Sequence, residues 1–273
     1  MKPVIKWAGG KGSVLPYIRN ILPDTYTKYY EPFIGGGAVL LDLNPTSAIV
    51  GDINHELIRV YENIRDNVEG VINYLSILDQ EHEAVKDPKA FYYRIRKDFN
   101  CSLEAGTETQ AARFIYLNKH CFNGLYRVNK DGEFNVPFNG KLTGSSFDPE
   151  HLRAVSKQLQ NVKFIWGDFT WVQNAEEGSL VYLDPPYDPD EDIKTDGFVG
   201  YQKAGWTRED TERLKLICDN LTKKNCKVII SNNDTAFIRE LFKDYNIHEV
   251  EVKRSINRDG NKRKGKEVII TNY

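Results

Sequence analysis

The sequence predicts an α/β protein, with a mostly parallel sheet interrupted by a mainly helical insert that carries a β-hairpin. Two observations lead there. Apolar strand-like runs alternate with helical runs toward both ends of the chain, the pattern of a parallel sheet with crossover helices. Between them, the stretch 57–159 is dominated by apolar residues at three- and four-residue spacing. The expected organisation is a discontinuous domain, 1–56 with 160–273, around a second unit at 57–159. A chain of 273 residues fits one large domain plus an insertion at roughly 150 residues per domain.

The elements follow in order. Residues 29–37, YYEPFIGGG, give a short strand that runs into a glycine turn, and 47–53, SAIVGDI, give a second strand that ends in an acid. Residues 54–78 read as one helical stretch, with Leu57, Ile58, Tyr61, Ile64 and Val68 on one face. Further helices are expected over about 88–100 and 109–119. Residues 125–137, LYRVNKDGEFNVP, read as a hairpin because Asp131-Gly132 is a strong turn signal between extended runs. VKFIW at 162–166 and SLVYL at 179–183 read as strands, the second running straight into Asp184. Residues 207–224 have a Thr207 N-cap and acids at Glu209 and Asp210 in the first turn. CKVIIS at 226–231 is a strand, and 247–254 and 267–272 bracket a basic loop as a terminal hairpin.

Composition narrows the class. Hydrophobic residues at 40% supply a core, so wholesale disorder is excluded. No run of about 18 apolar residues exists to span a membrane, and the start MKPVIKWAGGK lacks an apolar leader, so a cytoplasmic protein is expected. Cys101, Cys121, Cys218 and Cys226 form no CxxC pair, which points to reduced thiols and to no metal site. The net charge of −2 hides a patchy distribution. Residues 253–266 carry seven Lys/Arg and one Asp, while 188–192 carry four acids in five positions. One basic face is enough to hold nucleic acid.

Two motifs carry the chemistry. Gly35, Gly36 and Gly37 follow a strand and open a helix, where glycine lets backbone approach a ligand. Asp52, at the end of the next strand, suits a pair of ribose hydroxyls. The dinucleotide fingerprint fails, because Leu40 stands where its last glycine belongs. The second motif is Asp184-Pro185-Pro186-Tyr187 at the carboxyl end of a parallel strand, which is where open α/β sheets bind ligands. Its prolines have no N–H, so the loop offers acceptors: the Asp184 carboxylate and the Pro185 carbonyl. Two acceptors on the hydrogens of an aromatic amine pull its nitrogen toward tetrahedral geometry and free its lone pair. Tyr187 adds a flat face for stacking.

Taken with Lys6-Trp7-Ala8-Gly9-Gly10-Lys11, Glu31-Pro32-Phe33-Ile34 before the glycines, Gly51-Asp52-Ile53-Asn54 and Phe122-Asn123-Gly124-Leu125-Tyr126-Arg127, the series resembles the Dam-type DNA adenine methyltransferases, alpha group. Ser231-Asn232-Asn233-Asp234-Thr235 and Arg254-Ser255-Ile256 extend the resemblance nearly end to end. It implies a Rossmann-like S-adenosylmethionine-dependent fold with an inserted DNA-recognition subdomain, no metal, double-stranded DNA as partner and no obligatory protein partner. S-adenosylhomocysteine would be the product. By the resemblance, Trp7 and Lys11 hold the methionine part of the cofactor, with Gly35 and Gly37 beside it. Asp52 takes the ribose, Asp168 and Phe169 lie at the cofactor adenine, and Asp184 lines both the cofactor and the target. The alternative for Trp7 is a core aromatic, and for Asp168 a helix N-cap. Phe122 matches an aromatic that wedges into the base stack, followed by Asn123. Leu125, Arg127 and Pro137 match positions that contact base pairs beyond the target, and Lys6 matches a reader of the first guanine. This set points to GATC. A guanidinium such as that of Arg127 can bond both major-groove acceptors of guanine. The chain departs from the family after Phe138, where Asn139-Gly140-Lys141-Leu142-Thr143 replaces a Gly-Arg-Tyr run. In the basic run, Lys262, Arg263 and Lys264 are expected phosphate contacts, and 188–201 is expected to close on the pocket through Phe198 and Tyr201.

Overall fold

A computed structural model describes residues 1–101, 106–141, 144–189, 206–253 and 264–273. Seven strands occur among them: β1 (Tyr29–Glu31), β2 (Ala48–Asp52), β3 (Val162–Trp166), β4 (Leu180–Leu183), β5 (Lys227–Asn233), β6 (Asn246–Lys253) and β7 (Lys264–Thr271). Six of them lie in the order β2-β1-β4-β5-β7-β6. β1 runs parallel to β2 and β4, and β4 parallel to β5, whereas β7 is antiparallel to β5 and β6. The helices are α1 (Leu15–Asn20), α2 (Ala38–Leu43), α3 (His55–Asp66), α4 (Val68–Ala84), α5 (Pro88–Cys101), α6 (Glu108–His120), α7 (Pro149–Leu159), α8 (Arg208–Lys223) and α9 (Ala236–Leu241).

The chain divides into two compact units. The first holds Met1–Gly10, Gly35–Asn44 and Asn54–Trp166. The second holds Lys11–Ile34, Pro45–Ile53 and Gly167–Tyr273. In the first unit α3, α4, α5 and α6 bury Leu57, Tyr61, Leu75, Tyr92 and Ile115. The single helical stretch expected over 54–78 is instead two helices. Asn67 breaks it at φ −144°, ψ 55°, and its side chain accepts from the Gly70 amide to cap α4. The 125–137 segment is irregular. No continuous strand is formed there, yet the chain does fold back antiparallel about Lys130–Gly132: Val128 bridges Phe134, the Asn135 amide donates to the Arg127 carbonyl at 2.9 Å and the Asn129 amide to the Glu133 carbonyl at 2.8 Å, while Cys121 bridges Phe138. The Asn129 side chain folds the tip by accepting from the amides of Asp131 and Glu133 at 2.9 Å each.

In the second unit the sheet buries Val181, Leu183, Val228, Ile230 and Ile270 against Leu214, Cys218 and Leu221 of α8. That helix starts where its sequence says it should. Thr207 accepts from the Asp210 amide, and the Asp210 side chain reaches back to the Thr207 amide. The register Leu183 opposite Ile230 brings the chain out of β4 beside the last residues of β5. This is the feature that builds the site.

Candidate active site

Asp184 leaves the end of β4 and is met by Lys11, whose ammonium lies 2.8 Å from Asp184 Oδ2. Both side chains are largely withdrawn from water, 7% exposed for Lys11 and 18% for Asp184. The same ammonium sits 4.8 Å from the centre of the Tyr187 ring, within cation–π range. The Tyr187 hydroxyl donates to Glu267 Oε2 at 3.2 Å, and burial keeps it protonated by raising it well above an ordinary tyrosine. Burial also raises the Asp184 carboxyl above the usual aspartate value; the charge and hydrogen bond of Lys11 oppose that rise without cancelling it. Pro185 is buried and Pro186 exposed.

Two buried polar atoms here have no hydrogen-bond partner: Asp184 Oδ1 and, at the end of β5, Asn232 Nδ2. Native interiors rarely leave such atoms unpaired, and each one calls for an explanation. An acceptor of this kind, beside prolines that cannot donate, fits an NH₂ group brought in by a ligand.

The remaining expected residues of the second unit have structural partners of their own. The Asp52 carbonyl accepts from the Gly167 amide at 3.1 Å, which ties the ends of the Asp52 and Asp168 segments together. Asp168 is the N-cap of a short 3₁₀ turn, Phe169–Asn174, and accepts from the Thr170 amide. Its other oxygen accepts from Arg213 at 2.7 Å. Burial alone would raise this carboxyl; the Thr170 amide and Arg213 outweigh it and leave it lowered. Phe169 is buried against Phe33 and Trp206, with ring centroids 5.4 and 5.2 Å away.

In the first unit, Trp7 stacks on Tyr126 at 5.5 Å and packs on the glycine turn. A Cβ on Gly35, which has φ +46°, would lie 2.8 Å from the Trp7 ring; one on Gly37, φ +69°, would lie 2.9 Å from the Tyr61 hydroxyl. That hydroxyl donates to the Gly35 carbonyl at 2.9 Å. The turn therefore needs its glycines for packing within this chain, whatever ligand it also meets.

Lys6 and the 122–127 segment also come together here. Asn118, 5% exposed on α6, accepts from the Lys6 amide at 2.8 Å and donates to the carbonyls of Lys6 at 2.8 Å and Gly124 at 3.1 Å. A Cβ on Gly124, which has φ +65°, would strike the Lys6 stem at 2.6 Å, so the Gly124 backbone lies against the Lys6 side chain. Phe122 is 44% exposed, Asn123 sits at φ +58° and Leu125 is half-buried. Arg127 is exposed and leans on Asn135, its Nε donating to Oδ1 at 2.7 Å; Pro137 is exposed and its carbonyl accepts from the Phe122 amide at 2.9 Å. Lys262, Arg263, Phe198 and Tyr201 lie outside the described residues, and Lys264 opens β7.

The sequence pointed to no role for Asn118, Arg208, Asn232 or Thr235, and it placed Asp188 at the start of a closing segment, whereas Asp188 is buried and held by four partners. The only signal for the β5 end was a polar run, Ser231 to Thr235, interrupting an apolar strand. Among the described residues no helix is long and apolar enough to cross a membrane, and no group of three His, Cys, Asp or Glu is arranged to hold a metal.

A mixed sheet with one strand end running into a Pro-Pro loop, its carboxylate largely withdrawn from water, is an α/β fold with hydrogen-bond acceptors gathered at that strand end. Residues 7–256 match the model of the D12 class N6 adenine-specific DNA methyltransferases, and the chain belongs to that family. It is 41% identical to Type II methyltransferase M.MjaIII of Methanocaldococcus jannaschii, covering 100% of this chain and 99% of that protein. It is 37% identical to Type II methyltransferase M1.LlaDCHI of Lactococcus lactis subsp. cremoris, covering 100% and 96%. The DNA adenine methylase of Escherichia coli K12 is 33% identical over 98% of this chain and 94% of its own length. Family membership makes the chain an adenine-specific DNA methyltransferase and implies S-adenosylmethionine as methyl donor and DNA as substrate.

Proposed function

We propose that the protein transfers a methyl group from S-adenosylmethionine to the exocyclic amino nitrogen of adenine in duplex DNA, at GATC, with the target base flipped out of the helix. The observation that carries this reading is Asp184: a buried carboxylate with one oxygen on Lys11 and the other unpaired, in a loop whose prolines donate nothing. The amino group of a base inside a duplex is out of reach, so the base must leave the stack. Asp184 and the Pro185 carbonyl then accept hydrogen bonds from the two amino N–H groups, and Tyr187 offers its ring for stacking. The cofactor, when bound, would supply an electrophilic sulfonium methyl whose S–C bond breaks as the N–C bond forms; alignment of the amine then accounts for most of the catalytic work, and the methylated nitrogen sheds its extra proton to solvent without a dedicated side-chain general base.

The residues present suit that cofactor. An ammonium has three N–H donors, so Lys11 can serve Asp184 and the cofactor carboxylate together. Trp7 beside Gly35 and Gly37 would flank the methionine part, Asp52 would take the ribose hydroxyls, and Asp168 with Phe169 would meet the adenine. Phe122 would fill the gap left by the flipped base, with Asn123 beside it. Lys6 would read the first base pair, Arg127 the last, and Leu125 and Pro137 would meet thymine methyls. Lys262, Arg263 and Lys264 would contact phosphates, which attract cations without regard to sequence. A protein with these partners acts in the cytoplasm, at the nucleoid.

The test is transfer of a labelled methyl group to matched duplex DNA and RNA, with and without GATC. Incorporation confined to adenine of GATC duplexes is expected. Preferential labelling of RNA would overturn the DNA assignment, and equal labelling of duplexes lacking GATC would overturn the site.

A further inference from the structure

We propose that Asp188, the residue directly after Asp-Pro-Pro-Tyr, is a positioning residue for methyl transfer, clamping the end of that loop to β5, α8 and α9 and thereby setting where Asp184 and Pro185 point. The proposal rests on the reading of this loop as the acceptor site.

Asp188 is 3% exposed and all four of its polar atoms are paired. Its amide donates to Asn232 Oδ1 at 2.9 Å, and its carbonyl accepts from Asn233 Nδ2 at 2.7 Å. Its carboxylate accepts from Arg208 Nε at 3.0 Å and Nη2 at 3.4 Å, and from the Thr235 hydroxyl at 2.7 Å. Each partner is itself fixed. Thr235 accepts from the Ile238 amide at the start of α9, Asn232 Oδ1 also accepts from the Asn233 amide, and the Arg208 guanidinium lies 4.7 Å from the Phe237 ring centre.

The chemistry of the loop explains why such a clamp is needed. Pro185 and Pro186 have no N–H, so neither can anchor the loop as a backbone donor. The loop is therefore held from its far side, by the Tyr187 hydroxyl on Glu267 and, with its backbone as well as its side chain, by Asp188. A guanidinium fork that meets both carboxylate oxygens fixes direction as well as position, which suits a part that sets angles rather than one that fills space. A misplacement of about 1 Å at reacting groups costs on the order of 10²-fold in rate. The clamp never touches the base, so its loss should alter the transfer step and leave binding intact.

The experiment compares Asp188→Ala, Asp188→Asn and wild type in single-turnover methyl transfer to an adenine duplex, with cofactor and duplex dissociation constants measured alongside. The Ala variant is expected to slow transfer by about 10²-fold while both dissociation constants stay within about threefold. The Asn variant, which keeps one side-chain acceptor and the backbone pairs, is expected to recover about tenfold of that loss. If the Ala variant does not fold, Thr235→Val and Arg208→Lys carry the test; each is expected to slow transfer about tenfold without weakening binding. An active wild type with unimpaired variants, or losses that merely follow weaker binding, would overturn the clamp alone. A wild type that transfers no methyl to adenine would overturn the functional reading, and the clamp with it.

Discussion

The glycine turn after β1 and the Pro-Pro loop after β4 both follow strands of the sheet, and they treat their space in opposite ways. At the glycine turn the room left by absent Cβ atoms is filled by this chain's own Trp7 and Tyr61. At the Pro-Pro loop, Asp184 Oδ1 is left buried and unpaired, and so is Asn232 Nδ2 at the end of the neighbouring strand. A glycine run signals a close approach but does not say whether a ligand or another part of the chain makes it. A buried polar atom without a partner is the more specific pointer to chemistry, because leaving it unpaired costs about 1–3 kcal/mol that a well-folded interior normally avoids.

The sharpest way to break this contrast is to remove the unpaired acceptor. Asp184→Ala is expected to slow single-turnover methyl transfer by on the order of 10²–10³-fold, the scale of losing one aimed polar group. Duplex affinity in a gel-shift titration should be little changed. Because burial raises the Asp184 carboxyl, the acid limb of the wild-type rate should lie above the value of an ordinary aspartate. Lys11→Met removes the opposing influence and should move that limb higher; an unmoved limb would detach Asp184 from the rate.

The helical part of the first unit extends the comparison to titration. His120 is buried, stacks on His82 at 4.6 Å and meets the Ser146 hydroxyl at 2.9 Å, while Ser146 donates in turn to Asp79. Burial, reinforced by His82, lowers His120 to about 4; Asp79 opposes this and Lys119 adds to it. The unfolded chain, near 6.5, binds the proton more readily. Stability is therefore complete above about pH 6.5 and is lost as pH falls toward 4, by up to about 3 kcal/mol. Denaturant melts from pH 7 to 4 should be flatter for His120→Gln than for wild type. Parallel curves would remove His120 from the account.

A third expectation concerns the filled turn. Gly37→Ala forces a side chain into a left-handed backbone and against the Tyr61 hydroxyl, so a loss of about 1–3 kcal/mol is expected. Tyr61→Phe in the same chain should restore part of it by removing the atom that is struck. No restoration would mean that the backbone conformation alone sets the cost.

The smallest effect is expected at Asn118, which ties Lys6 to the 122–124 turn. If Lys6 reads a base pair as proposed, Asn118→Leu should reduce discrimination at that pair by about tenfold, matching Lys6→Ala in position if not in size. Competition between duplexes that differ at single positions would measure it. A uniform loss across all duplexes would mark Asn118 as purely structural.

Much was legible in the chain itself. Local chemistry writes itself into short spans: the Thr207 N-cap with acids in the first turn, the strand-like run into Asp184 and the order of the motifs identified an α/β chain and its family before any contact was known. The break at Asn67 was local too, yet it was masked by apolar spacing that continues across it. What only the tertiary structure decided were pairings between distant residues. Lys11 meets Asp184, Asn118 meets Lys6 across 112 residues, and Asp188 gathers Arg208, Asn232, Asn233 and Thr235. Propensity and periodicity act over a few residues and say which faces must be buried. Strand order and register choose which distant polar groups share that interior, and those choices are not written at either end of the pair.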